Sequence, residues 1–167
     1  VTGDDDLMQE PTTRSDDTQI LEKCREIELL SRKLYLFFAD LYADDADIKS
    51  IWTKTADEEQ HHADQFTLAL KMKKSLGVTL NIDMQKAVFV VGELEKLIKR
   101  CEANPPKLVD ALSTAIKLEH YLSDLHLVCV ASFEDQSFKN MFNAMMAADQ
   151  QHIERLQAAL DSMISTA

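Results

Sequence analysis

Glycine and proline are scarce, with three of each among 167 residues. Few chain reversals can then rely on positive φ or a rigid turn, and the strong helix formers that fill the rest favour an all-α protein. Long apolar runs are also missing. Although 46% of the residues are hydrophobic, no stretch approaches the roughly 18 apolar residues that cross a bilayer. No basic leader precedes an apolar segment either, so neither a membrane partner nor a secretory signal is expected. Cysteine is limited to Cys24, Cys101 and Cys129, with no CxxC pair, which excludes a CxxC-type zinc or iron module on this chain. An odd number of widely spaced cysteines suits reduced thiols, and a cytoplasmic location is expected. Positive charge is in short supply: 18 Lys and Arg against 29 Asp and Glu leave a net charge of −11. Such a surface repels phosphate backbones, so no nucleic-acid partner is expected, and it serves solubility.

What is present is helical periodicity. Residues 1–16 are polar and acidic and read as a flexible tail; residues 17–166 are expected to form one domain. Helix one is predicted over 17–43, with Leu21, Cys24, Tyr35, Phe38 and Tyr42 at helical spacing. The Ala43-Asp-Asp-Ala-Asp47 segment breaks the pattern and can cap the next helix. Helix two, over 46–74, carries an inward stripe of Ile48, Trp52, Thr55, Glu59, His62, Phe66 and Ala69. A connection follows with its own helix over 84–101, started by Asn81 or Asp83 and closed by Asn104-Pro105-Pro106. Helix three, over 106–132, carries Leu108, Leu112, Ala115, Glu119, Leu122, His126 and Cys129. Helix four, over 135–164, carries Phe138, Phe142, Met145, Asp149, His152, Leu156 and Ala159. The expected architecture is an antiparallel four-helix bundle with an extra helix in the long crossover from helix two to helix three. The halves correspond: Glu28 precedes His62 much as Glu119 precedes His152, so each half reads as one helical hairpin.

Four places on these stripes should be apolar and are not. Two helices carry a lone acid, Glu28 and Glu119; the other two carry an acid with His three residues later, Glu59 with His62 and Asp149 with His152. Residues three apart lie on one helix face, so acid and imidazole can reach the same ion. A buried ionised carboxylate costs several kcal/mol or more unless paired. Two divalent cations would neutralise the four carboxylates, with the imidazoles as neutral ligands, and this is the arrangement of the di-iron and di-manganese carboxylate proteins. Glu58 and His61 are also three apart but point about 100° away from the seam, and are read as surface. Tyr35 follows Glu28 by seven residues, as His126 follows Glu119. Both should face the core two turns from their acids, as core hydrogen-bonders or as donors beside the site.

Glu28-Leu-Leu-Ser-Arg32-Lys-Leu-Tyr35-Leu-Phe-Phe38-Ala, followed by Thr55-Ala-Asp-Glu-Glu59-Gln-His-His62-Ala, resembles the ferritin-like proteins, and among them the rubrerythrin-type di-iron domains. Glu119 and Asp149-Gln-Gln-His152 match more loosely. The resemblance implies metal ligation by Glu28, Glu59, His62, Glu119, Asp149 and His152, with Tyr35 as the candidate catalytic residue placed to hydrogen-bond a ligand. This chain departs from the family in having Asp149 where Glu is usual, one methylene shorter. Leu122 stands where rubrerythrins carry a second Glu, so their redox-linked ligand exchange is not implied. An accompanying rubredoxin domain is not expected.

Two iron ions per chain, with manganese as the alternative metal, are the expected cofactors. The expected function is an oxidoreductase that oxidises Fe(II) or reduces peroxide or dioxygen, supplied with electrons by a separate donor protein and assembled as a homodimer or larger homo-oligomer. An iron-storing ferroxidase oligomer and a non-enzymatic metal-binding or structural bundle are the competing readings.

Overall fold

The computed structural model describes residues 13–76 and 82–165. They form five α-helices and, among the described residues, no strand: α1 (Thr13–Leu41), α2 (Ala46–Leu76), α3 (Met84–Ala103), α4 (Leu108–Ser132) and α5 (Gln136–Ser165). α1 packs on α2, α4 on α5, α3 on α1 and α2 on α5. The pairing of α1 with α2 and α4 with α5 follows the internal repeat. α1 begins at Thr13 rather than 17, so residues 13–16 of the expected tail are helical, while residues 1–12 lie outside the described residues. Asn81, one of the two candidate starts of the crossover helix, also lies outside them.

The ends follow capping chemistry. α1 stops at Leu41, and Asp45 caps α2: its Oδ1 accepts the backbone N–H groups of Asp47 and Ile48, each at 3.0 Å. Asp83 caps α3 through Gln85 N at 2.9 Å, and Asp135 caps α5 through Ser137 N and Phe138 N at 2.9 and 3.1 Å. Each cap satisfies donors that the helix start leaves free. α4 begins at Leu108, two residues later than predicted, and its N-cap Lys107 makes no side-chain cap bond. The start of α4 is tied instead by Tyr42 Oη donating to Pro106 O at 2.6 Å.

The core runs along the seams. At one end Trp52, Tyr35 and Phe38 pack together, with Trp52 4.9 Å from Phe38 and 5.9 Å from Tyr35 between ring centroids. At the other end Phe66, Phe133, Phe138 and Phe142 form a second aromatic layer. The three cysteines are free and buried. Met145 is buried among core residues, as its place on the stripe predicts. No described helix is long and apolar enough to cross a membrane.

Candidate metal centre

Between the two aromatic layers the core turns polar. Glu28, Glu59, Glu119, Asp149, His126 and His152 are fully buried, and His62 is 3% exposed. The stripes dictate this: each residue continues a helical seam whose neighbours a turn away, such as Thr55 and Phe66 on α2 or Met145 and Leu156 on α5, are themselves buried. All six acids and histidines expected as ligands therefore meet in one place.

Five of them, with His126, form two trios, and Asp149 belongs to neither. In one, Glu28, His62 and His126 each offer a ligand atom within 4.8 Å of the others; in the second, Glu59, Glu119 and His152 do the same. His62 Nδ1 faces three carboxylate oxygens: Glu59 Oε2 at 3.5 Å, Glu28 Oε2 at 3.7 Å and Asp149 Oδ1 at 3.9 Å. Across the centre, His152 Nδ1 lies 3.0 Å from Glu119 Oε2 and 3.4 Å from Glu59 Oε1. The His62 and His152 rings are 5.7 Å apart, with the Glu59 carboxylate presenting one oxygen to each.

The separations around His62 are too long for direct hydrogen bonds, whereas His152 Nδ1 and Glu119 Oε2 are within hydrogen-bonding distance. An ion about 2.1 Å from each ligand spaces adjacent ligand atoms about 3.0 Å apart in an octahedron and about 3.4 Å in a tetrahedron. Hydrogen bonds are shorter than the 3.5–3.9 Å around His62. The atoms involved are moreover orphans: Glu28 Oε2, both oxygens of Glu59, His62 Nδ1 and Asp149 Oδ1 are buried without a hydrogen-bond partner. Native proteins leave only a few such atoms per hundred residues, and each calls for an explanation. Four of them gather around His62 and the fifth, Glu59 Oε1, faces His152, an arrangement that suits cations. These buried Glu and His groups could hold metal ions.

The outer oxygens are spoken for. Tyr35 Oη on α1 donates to Glu119 Oε1 on α4 at 2.5 Å. His126 on α4 bonds Glu28 Oε1 on α1 through Nε2 at 2.8 Å and Asp149 Oδ2 through Nδ1 at 2.6 Å. Electrostatics follow the geometry. Burial opposes charging of His62, but the Glu28 and Glu59 carboxylates outweigh it and raise its pKa to about 11. The same contest raises His126 to about 10 through Glu28 and Asp149, and His152 to about 9 through Glu119 and Glu59. Burial works against ionising Glu28 too, yet the His126 imidazole brings its carboxyl down to about 2. Glu119 goes the other way: burial and the nearby Glu59 carry it up to about 7, against the pull of His152 and Tyr35. Burial and Glu119 push the Tyr35 phenol well above its ordinary value.

Three residues have larger parts than the sequence suggested. His126 lies inside the cluster, signalled only by its offset of seven from Glu119. Glu58, read as surface, is 22% exposed and turned inward: Oε2 sits 2.7 Å from His152 Nε2, out of line for a hydrogen bond, and 3.0 Å from Arg155 Nη1. Its predicted companion His61 is exposed. Arg155, one turn beyond His152, also donates to Thr55 Oγ1 at 3.2 Å; nothing in its spacing distinguished it from a surface arginine. No protein-family model, curated protein or solved structure matches the chain, so the arrangement of the site carries the functional argument.

Proposed function

We propose that this chain is a ferritin-like, rubrerythrin-type di-iron carboxylate oxidoreductase, built as an antiparallel four-helix bundle with α3 in the crossover. The observation that carries the reading is the group of five orphaned, buried ligand atoms around His62 and Glu59. Glu28, Glu59, His62 and Asp149 would hold one ion, and Glu59, Glu119 and His152 the other, with Glu59 shared. Iron or manganese suits this mixture of carboxylate and imidazole. When bound, such a pair would supply two electrons, one from each ion, to peroxide or dioxygen.

The residues of the chain do the rest. Four acids balance the charge of two divalent ions. Tyr35 holds Glu119 from behind, and its phenolic proton stays in place because its pKa is raised. Apolar layers above and below, Trp52 with Phe38 and Phe66 with Phe142, keep water from the centre. Glu58 and Arg155, both partly exposed, mark the side on which the site comes nearest to solvent. Three free thiols fit a reducing compartment such as the cytoplasm, and electrons would come from a separate donor protein.

The test is elemental analysis of protein purified without chelator, followed by anaerobic Fe(II) titration and exposure to peroxide or dioxygen. About two ions per chain with oxidant consumption is the expected result. Fewer than about 0.2 ions per chain after Fe(II) addition would overturn the reading.

A further inference from the structure

The two lone-acid helices support each other reciprocally. The residue seven after Glu28, Tyr35, reaches across to Glu119, and the residue seven after Glu119, His126, reaches back to Glu28. The halves differ in that His126 also holds Asp149. Both nitrogens of its ring are engaged, at 2.6 and 2.8 Å, with the outer oxygens of two carboxylates. The inner oxygens of the same two groups, Glu28 Oε2 and Asp149 Oδ1, are orphans facing His62 Nδ1. His62 Nδ1 is itself unpartnered, whereas His126 has no nitrogen to spare.

Resting on the di-metal reading above, we propose that His126 is a positioning residue rather than a ligand: it clamps Glu28 and Asp149 by their outer oxygens, so that each meets the ion beside His62 through one oxygen only. A free carboxylate can rotate and chelate an ion through both oxygens. One whose outer oxygen accepts a short, charge-assisted hydrogen bond cannot do so without breaking it. The clamp also answers the shortness of Asp149. With a methylene fewer than Glu, its carboxylate has a smaller reach, and the imidazole across the seam keeps it aimed at the centre. Partners of this kind commonly change metal affinity by about 10- to 100-fold when removed.

The experiment titrates Co(II) into the full chain after chelator treatment, following heat and the visible absorption of the bound ion. The wild type is expected to take two Co(II) per chain. In His126→Leu one ion should keep its affinity, while the other binds about 10- to 100-fold more weakly with an altered visible spectrum. His126→Gln should recover part of the loss, because a carboxamide N–H can hold one of the two carboxylates but is a poor metal ligand. Unchanged binding in His126→Leu overturns the clamp and leaves the di-metal reading intact. Equal loss in the Leu and Gln variants also overturns it, since His126 would then be a ligand. If His126→Leu does not fold, His126→Gln decides: weaker binding of one ion, within about tenfold of wild type, supports the clamp, and complete loss of that ion overturns it. A wild type that binds no Co(II) overturns both proposals.

Discussion

Loading the centre with metal should expel protons, and their number can be worked from the site. In protein stripped of metal at pH 7, His62 and His152, with pKa values of about 11 and 9, carry their protons. Glu119, at about 7, is half protonated. A metal-bound imidazole must give up the proton on its ligating nitrogen, and a metal-bound carboxylate must be ionised. Two imidazoles and one half-titrated acid sum to about 2.5 protons for two ions. The combined affinity for both ions should therefore rise about 100- to 300-fold per pH unit near neutrality and about tenfold per unit between about 9 and 11, flattening beyond. Without metal the sign reverses for the histidines. Their pKa values lie above the ordinary 6.5, so the stability they contribute is complete below about 6.5 and is lost as the pH rises through about 9 to 11. Calorimetric titration with Mn(II) in buffers of different ionisation heats counts the released protons. Fewer than about one proton, or an affinity that does not depend on pH, would refute the assignment of His62 and His152 as ligands. A count near 3.5 would mean that a third imidazole ligates.

Saturating Mn(II) at about 100 times its dissociation constant should add about 2.7 kcal/mol per ion, raising the melting temperature of a chain this size by about 10 to 20 °C for two ions; a scan with chelator should abolish the rise. Glu59→Leu should remove metal binding and cost the stripped protein about 3 to 5 kcal/mol in urea, because it takes a carboxylate from beside the protonated His62 and His152 imidazoles; unchanged stability would contradict that. Tyr35→Phe leaves Glu119 Oε1 without its donor and should cost about 1 to 3 kcal/mol in the stripped protein, measured by urea unfolding. A thiol reagent should spare Cys24 and Cys129, which are fully buried, until denaturant is added; rapid reaction of either in the native state would show that the seam between their helices opens.

Much of the fold and half of the site's logic could be read from the chain. Period-3.6 stripes place Trp52, Phe66, Leu112 and Phe142 in the core because a helix can bury only one face, and Asp45, Asp83 and Asp135 mark helix starts because free N–H groups need acceptors. The interruption of those stripes by Glu28, Glu59, Glu119 and Asp149 was equally legible, since an acid on a buried face demands a partner. Periodicity assigns a face, but it does not say what lies opposite. Only the packing of α4 beside α1 and α5 turned His126 from a core histidine into the residue holding Glu28 and Asp149. Likewise only the approach of α5 to α2 drew Glu58, about 100° off the seam of its own helix, into contact with Arg155 and His152. The local period determined which groups go inside; the crossing of helices decided which of them meet, because those contacts span about 23 to 98 residues of chain and no local pattern encodes them.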